Sequence, residues 1–290
     1  MRILCAVDEN PYSEQAVRET ARLAMNTWAN VTILGVHPDS HIVAKTGEHD
    51  AGIFQTLRRF REVFLSYFQE PGSPYNTERC GYRFVPMSNT VLEDLYVCES
   101  SRKELKVRLR AGNMVRAILA EAADGASDLV VIGCDHKHGC GWATDSSLPR
   151  KVVNGAPCSA LVVSSEQEIT EVICCLDQES VSQASLEMIN QMVTTYQARL
   201  KIVGLSKGMA LQAEVDKSMH FILEYYVARD LKPLISMVDP TQLESFIAQE
   251  NQQALMALVM GQRSTLAKIF SRKKVDKLVQ ANRSSVLILR

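Results

Sequence analysis

The chain has 290 residues and a mass of 32.3 kDa, with 32 Lys and Arg against 33 Asp and Glu. This balance of charge argues against a large nucleic-acid surface, and the absence of a run of 18 apolar residues argues against a membrane span. Acidic residues from position 8 onward leave no room for a signal peptide, so we expect a cytoplasmic protein of about two domains.

The eight cysteines predict no disulfide framework, because such frameworks belong to short secreted chains. Cys5, Cys158, Cys174 and Cys175 lie in apolar, strand-like runs, where cysteine serves as a small hydrophobic side chain. No Cys-x-x-Cys pair occurs, so a standard structural zinc site is not indicated.

Short apolar runs alternate with helical patterns through the first half. The predicted elements, in chain order, are a strand at 3–7, a helix at 14–27 capped by Ser13, a strand at 31–36, a helix at 53–69, a strand at 105–109, a helix from Gly112 and Asn113 to about Glu121, a strand at 129–132, a helix near 147–154 and a strand at 160–163. Strands that alternate with helices form a parallel sheet with right-handed crossovers.

The second half repeats the first. Asp8 matches Asp177 at a separation of 169 residues, and Gly35 matches Gly204 at the same separation. Gly133 matches Gly261 only 128 residues later, so the first copy holds about 41 extra residues between these blocks. The polar stretch at 164–168 is the expected seam, which gives domains at 1–165 and 170–290. The predicted elements of the second copy are 172–176, 183–196, 200–205, 233–238, 241–252, 255–260, 272–281 and 285–289.

The extra residues of the first copy include the predicted helix 53–69. Its apolar face carries Ile53, Leu57, Phe60, Phe64 and Tyr67, and we expect Arg58, Arg59 and Arg61 to point away from it. An ordinary helix packed on the sheet and a partner-binding helix are both compatible with this pattern.

In an open, doubly wound sheet, ligands bind beyond the carboxyl ends of the strands, where the strand order reverses. The loops at this place follow the first strand, with Asp8, and the fourth strand, with Gly133. The second loop ends in Ser146 and Ser147 at a helix start, where hydroxyls and unpaired backbone N–H groups attract phosphate. This combination indicates a nucleotide site, although the loop is neither of the two common glycine-rich motifs.

Three segments of the first copy, ILCAVDENPYSEQAV, DLVVIG and SSLPRKVVNGAPCSALVV, resemble the universal stress protein family. VICCLDQESVS, ALVMGQRS and VDKLVQANRSSVLIL carry the same likeness in the second copy, so the chain resembles the tandem type of that family. The resemblance implies an α/β fold of two doubly wound, parallel, five-stranded sheets, Rossmann-like and similar to the adenine nucleotide alpha hydrolases, related by a pseudo-two-fold axis.

Nucleotide-binding members of this family carry Gly-x2-Gly-x9-Gly-Ser/Thr after the fourth strand. Laid on this chain, the motif falls on Gly133, His136, Ser146 and Ser147, so two of its four positions are kept. The resemblance also implies that Asp8 and Val36 hold the adenosine part of ATP or AMP. The corresponding residues of a second, more divergent site are Asp177, Leu205, Gly261 and Ser264, with Ser271 and Arg272 after a shorter loop.

Other interpretations of the same residues remain open. Asp8 is also suited to capping the following turn, and the basic run 272–274 to a solvated helix end. Cys134, Asp135, His136, His138 and Cys140 have metal-ligand chemistry, but ligands so crowded rarely enclose one ion, and we predict no metal site. No nucleophile–base pair recurs in both copies, so we predict no catalytic residues.

The expected function is regulatory or protective during stress, with three hypotheses for its mechanism: a nucleotide-responsive binding module, a nucleotide-independent interaction scaffold, and a weak ATPase. The family's single-domain members dimerise through their last strands, which here are 161–163 and 286–289. We therefore expect an intramolecular pseudo-dimer of the two domains, a possible homodimer and an unidentified protein partner, with no nucleic acid and no membrane.

Overall fold

The computed structural model describes residues 1–38, 52–75, 82–96, 102–135, 140–164, 168–176, 181–205, 213–249, 254–260, 266 and 284–290. The chain divides into two compact units, Met1–Val163 and Ser164–Arg290. None of the helices in the described part of the chain has the length and apolar character that a membrane crossing requires. The protein is of the mixed α/β class, and each unit is built on a sheet that consists mostly of parallel strands.

Unit 1 contains seven strands and four helices within its described residues. They are β1 (Arg2–Val7), α1 (Pro11–Thr27), β2 (Asn30–His37), α2 (Gly52–Leu65), β3 (Tyr82–Ser88), β4 (Val91–Tyr96), β5 (Leu105–Ala111), α3 (Met114–Asp124), β6 (Leu129–Gly133), α4 (Leu148–Gly155) and β7 (Ser159–Val163). The strand order is β7-β6-β1-β2-β5-β4-β3. The first five are parallel neighbours, and the apolar runs of β7, β6, β1 and β2 are buried as a core between two helical layers, while β5 alternates apolar and charged residues.

The helical layers cover opposite faces of this sheet. Leu109 of β5 lies with Ile53 and Leu57 of α2 around Gly35, whereas its neighbour Arg108 bonds Glu121 of α3. Because successive side chains of a strand point to opposite faces, α2 and α3 lie on different sides. The predicted helix at 53–69 is therefore an ordinary packed helix, and a short 3₁₀ turn at Ser66–Phe68 completes it.

Two expectations for side chains of unit 1 are wrong. Ser13 does not cap α1, because the helix begins earlier, with Asn10 as N-cap and Pro11 as its first residue. Proline suits that position, where its missing N–H has no helical partner to lose. Arg61 is buried rather than exposed, because its guanidinium forms an ion pair with the buried Asp94 of β4.

The antiparallel hairpin β3–β4 extends the sheet beyond β5, and the sequence did not predict it. Two consecutive carboxylates attach it to the rest of unit 1. Glu93 receives a hydrogen bond from Arg108, 2.6 Å from Nε, on the α3 side, while Asp94 pairs with Arg61 of α2. The hairpin lies within the part of the chain that accounts for most of the extra residues of the first copy.

Unit 2 repeats the connectivity of the five parallel strands. Its elements are β8 (Glu171–Leu176), α5 (Gln183–Tyr196), β9 (Arg199–Leu205), α6 (Ala213–Val227), β10 (Leu234–Val238), α7 (Leu243–Gln249), β11 (Ala254–Val259) and β12 (Val286–Leu289). The strand order is β10-β9-β8-β11-β12, the same as β5-β2-β1-β6-β7. The sequence predicted all five strands and missed α6, whereas the predicted helix 272–281 lies outside the described residues.

Candidate functional site

The predicted site of unit 1 lies at the carboxyl edge of its sheet. Strand β1 is flanked by β2 on one side and by β6 on the other, so the chain order reverses between β1 and β6. Asp8 directly follows β1 and Gly133 ends β6. This edge is where ligands enter folds of this kind.

The Asp8 carboxylate accepts hydrogen bonds from residues that follow it closely in the chain. One oxygen accepts hydrogen bonds from the backbone N–H of Asn10 at 3.0 Å and from Ser13 Oγ at 2.7 Å. The other accepts from Asn10 Nδ2 at 2.8 Å and from the Tyr12 hydroxyl. Since a carboxylate offers about four acceptor positions, these four bonds fill it.

Tyr12 joins the two loops of the edge. Its hydroxyl donates to Asp8 and accepts a hydrogen bond of 3.1 Å from the backbone N–H of Ala143, which follows β6 in the chain. Burial raises the pKa of the Tyr12 hydroxyl above its ordinary value, and the hydrogen bond to Asp8 raises it further. The phenol is therefore neutral at physiological pH, and it keeps a proton to donate to Asp8.

Gly133 permits a close approach of two backbones. A Cβ atom at this position would lie 2.1 Å from the Tyr12 carbonyl oxygen, so any other residue would push β6 away from the start of α1. The Gly133 carbonyl accepts a hydrogen bond of 2.8 Å from the indole N–H of Trp142, whose side chain is 3% exposed. In the described geometry, this glycine makes room for protein rather than for phosphate.

A disulfide joins Cys134 and Cys140, so the expectation that the cysteines form no disulfide is wrong for this pair. The physical reason is a turn that the sequence did not reveal. Asp135 and Gly141 form an antiparallel bridge, which brings the Cα atoms of the two cysteines to 4.7 Å. Both sulfur atoms of the group with metal-ligand chemistry are engaged in this bond. His136 and His138, between the two cysteines, lie outside the described residues.

An acidic side chain, that of Asp145, lies at the start of α4. The Asp145 carboxylate accepts hydrogen bonds from the backbone N–H of Ser147 at 2.8 Å and from its hydroxyl, and from Lys151 Nζ at 3.0 Å. The bond from the Ser147 hydroxyl, together with Lys151, lowers the pKa of Asp145 to about 2. The residue is therefore ionised at neutral pH and is a weak base, so it does not activate Ser147 as a nucleophile. Ser146 packs against Gly141 at the base of the loop.

The remaining predicted residues are less informative. Val36 is buried in β2 and pairs with Arg110 of β5, near the same edge. Leu205 of the second predicted site is buried at the end of β9. Asp177, Gly261, Ser264, Ser271 and the basic run 272–274 lie outside the described residues, so the second site stays a prediction.

The structure thus brings Asp8, Gly133, Ser146 and Ser147 to one edge. The sequence reasoning missed Tyr12, Trp142 and Asp145. Asp145 had a usable signal, because an aspartate commonly accepts a hydrogen bond from the backbone N–H two residues later in a turn. Tyr12 had none, because its partner Ala143 is 131 positions away in the chain.

Similarity to known proteins identifies the family of this chain. The model of the universal stress protein family matches residues 1–164, which is more than half of the chain. The chain belongs to the universal stress protein family. Membership of this family makes it a stress-response protein. No curated protein sequence matches the chain.

Solved structures share the fold over nearly the whole length. A putative universal stress protein from Pseudomonas aeruginosa UCBPP-PA14 is 13% identical, with a TM-score of 0.63, over 99% of this chain and 92% of that one. A functionally unknown protein, PA1789, from Pseudomonas aeruginosa PAO1 is 12% identical, with a TM-score of 0.59, over the same shares. A universal stress protein from Archaeoglobus fulgidus DSM 4304 is 11% identical, with a TM-score of 0.56, over 100% of this chain and 96% of that one.

Proposed function

We propose that this chain is a tandem universal stress protein that serves the stress response without a bound adenine nucleotide. It acts as an interaction scaffold, and in unit 1 the protein's own side chains occupy the carboxyl edge of the sheet, where a nucleotide would bind. Val36, which the family resemblance assigns to adenine, lies near the end of β2 at the same edge. The closure affects the groups that would meet ribose and phosphate.

The observation that carries this proposal is the Asp145 carboxylate at the start of α4. A helix N-terminus attracts anions because its first N–H groups are unpaired and its dipole is positive. Here the N–H and hydroxyl of Ser147 already donate to a carboxylate that is ionised at neutral pH. A phosphate at this place would displace those bonds and lie beside a negative charge.

The other half of the edge supports the same conclusion. The four hydrogen bonds to Asp8 leave its carboxylate no acceptor position for a ribose hydroxyl or an adenine amino group. Tyr12 would have to leave both Asp8 and the Ala143 N–H before a nucleoside could use them. Opening the edge therefore costs several hydrogen bonds at once.

The first experiment asks whether the purified protein carries nucleotide. The full chain is denatured and the supernatant is analysed for adenine nucleotides by mass spectrometry. We expect less than a tenth of a mole per mole of protein, and less than 1 °C of thermal shift with millimolar ATP or AMP. Stoichiometric nucleotide, or a saturable shift, would overturn the proposal in favour of the nucleotide-responsive module. Release of phosphate from ATP above background, abolished in Asp8→Ala, would favour the ATPase instead.

A pair of variants tests the electrostatic reason. Asp145→Ala removes the carboxylate at α4, and Asp124→Ala removes the exposed carboxylate of the last residue of α3. We expect Asp145→Ala to bind ATP at least tenfold more tightly than Asp124→Ala, because only the first change frees the helix N-terminus. Equal affinities of the two variants would contradict the assigned role of Asp145.

A further inference from the structure

Strand β10 ends the sheet of unit 2 with an apolar, uncharged edge. One side of β10 pairs in parallel with β9, from Leu234 with Lys201 to Val238 with Leu205, and the other side has no strand partner among the described residues. Leu234 is 56% exposed and Ile235 is 39% exposed. Since consecutive side chains point to opposite faces, apolar surface is exposed on both faces of this edge. Proteins normally blunt such edges with charge or cover them.

The strand register identifies the equivalent of β10 in unit 1. Gly35 of β2 pairs with Leu109 of β5, and its repeat counterpart Gly204 of β9 pairs with Met237 of β10. Leu109 therefore corresponds to Met237. One position earlier, Arg108 corresponds to Ser236.

Unit 1 shows what covers this edge. Strand β4 pairs antiparallel with β5, with Leu92 opposite Leu109 and Glu93 opposite Arg108. Leu109, paired between β4 and β2 and packed with Ile53 and Leu57 of α2, is fully buried. The covering strand belongs to the extra residues of the first copy. The second copy lacks these extra residues between β9 and β10, and no described residue of unit 2 pairs with the other side of β10.

We propose that β10 pairs antiparallel with β10 of a second copy of this chain, about a two-fold axis at Ser236. This register places Leu234 opposite Val238 and Ile235 opposite Met237, so every pair flanking the axis is apolar. Apolar cross-strand pairs stabilise antiparallel sheets. No charge within Leu234–Val238 opposes its own copy across the axis.

The residues flanking β10 fit the same register. Asp239 of one copy lies opposite Pro233 of the other, which makes it a neighbour of Lys232, so each end of the paired strands carries opposite charges. Pro233 and Pro240 bound the strand and limit the pairing to this short segment, because proline donates no ladder hydrogen bond. A two-fold contact of this kind uses the same patch on both chains and closes on itself, so it yields a dimer rather than a filament.

Light scattering of the full chain at increasing concentration tests this proposal. We expect the mass to rise from 32.3 kDa toward about twice that value. Ser236→Lys and Ser236→Glu each place two like charges opposite one another at the axis, and each should weaken the dimer at least tenfold. A long side chain fits this position of the fold, because unit 1 carries Arg108 at the equivalent place and Ser236 is only half-buried.

Mixing the two variants distinguishes a specific contact from damage to the fold. Ser236→Lys and Ser236→Glu together should recover a heterodimer of at least wild-type affinity, because lysine then faces glutamate. Met25→Lys on α1, where the side chain is 48% exposed, serves as the surface-charge control and should leave the dimer unchanged. A wild-type chain that stays monomeric would overturn the proposal. So would a dimer that is insensitive to Ser236→Lys, or a mixture that fails to associate.

Discussion

Glu121 offers the sharpest test of how burial sets the strength of an ion pair in this protein. It is 2% exposed on α3 and accepts hydrogen bonds from Arg108 Nη1 at 2.7 Å and from Arg110 Nε. Asp124, one turn later, accepts from Arg110 Nη2 at 2.6 Å, but its side chain is 64% exposed. The two carboxylates therefore share an arginine at similar distance and differ mainly in their contact with water.

We expect Glu121→Gln to destabilise unit 1 by about 2–4 kcal/mol, because hydrogen bonds to charged groups contribute about 1.5–3 kcal/mol each and two of them lose the carboxylate. Asp124→Asn should cost under about 1 kcal/mol, since solvent screens an exposed pair. Helix propensity contributes little to either change, because each pair of residues ranks closely.

Urea unfolding followed by tryptophan fluorescence measures both variants. The two tryptophans, Trp28 and Trp142, lie in unit 1, so their emission reports on that unit. At a slope of about 2 kcal/mol per molar urea, the midpoint should fall by about 1–2 M for Glu121→Gln and by less than about 0.5 M for Asp124→Asn. Equal shifts for the two variants would refute the assignment of the difference to burial.

Three further outcomes are expected of the loops at the carboxyl edge. Gly133→Ala should destabilise unit 1 by about 1–3 kcal/mol and shift the Trp142 emission to the red, because its Cβ meets the Tyr12 carbonyl; an unchanged urea midpoint would contradict this. Reducing the Cys134–Cys140 disulfide, which closes a short loop, should cost about 2 kcal/mol in the same assay, and Cys134→Ser, which lacks the disulfide, should show no further change on reduction. The lowered pKa of Asp145, about 2, implies a stabilisation that is present above about pH 4 and lost as the pH falls toward 2. Because about a third of the Asp145 side chain is exposed to solvent, this stabilisation is under about 1 kcal/mol. The difference in melting temperature between wild type and Asp145→Asn should therefore vanish near pH 2.

Most of the parallel strands could be predicted from the sequence because they are buried on both faces, and β5 could be predicted from the alternation of its apolar and polar residues. Runs such as Leu129–Ile132 are apolar at every position, and this pattern depends on no partner. Strand β3 lacked that signal, since Pro86 and the exposed Met87 interrupt it. It forms because β4 pairs with it and carries Glu93 and Asp94 to arginines elsewhere in the unit.

Several residues of the candidate site could be predicted from the sequence, but their contacts could not. Asp8, Gly133 and the two serines were found because each follows a recognisable strand or precedes a helix. The contacts of these residues could not be predicted, because the Tyr12 hydroxyl joins two loops that are far apart in the sequence of unit 1. A close approach of this kind depends on the assembled sheet and leaves no periodic trace in the sequence.

The charges of the hairpin also bear on how the two copies diverged. Arg108 of β5, which pairs with Glu93 of the hairpin, corresponds to Ser236 of β10, so the second copy lacks this cation. A β3–β4 insertion without Arg108 would bury Glu93 without this counter-ion. Transplanting the hairpin into the second copy would therefore require an arginine at position 236, and a cation equivalent to Arg61 for Asp94.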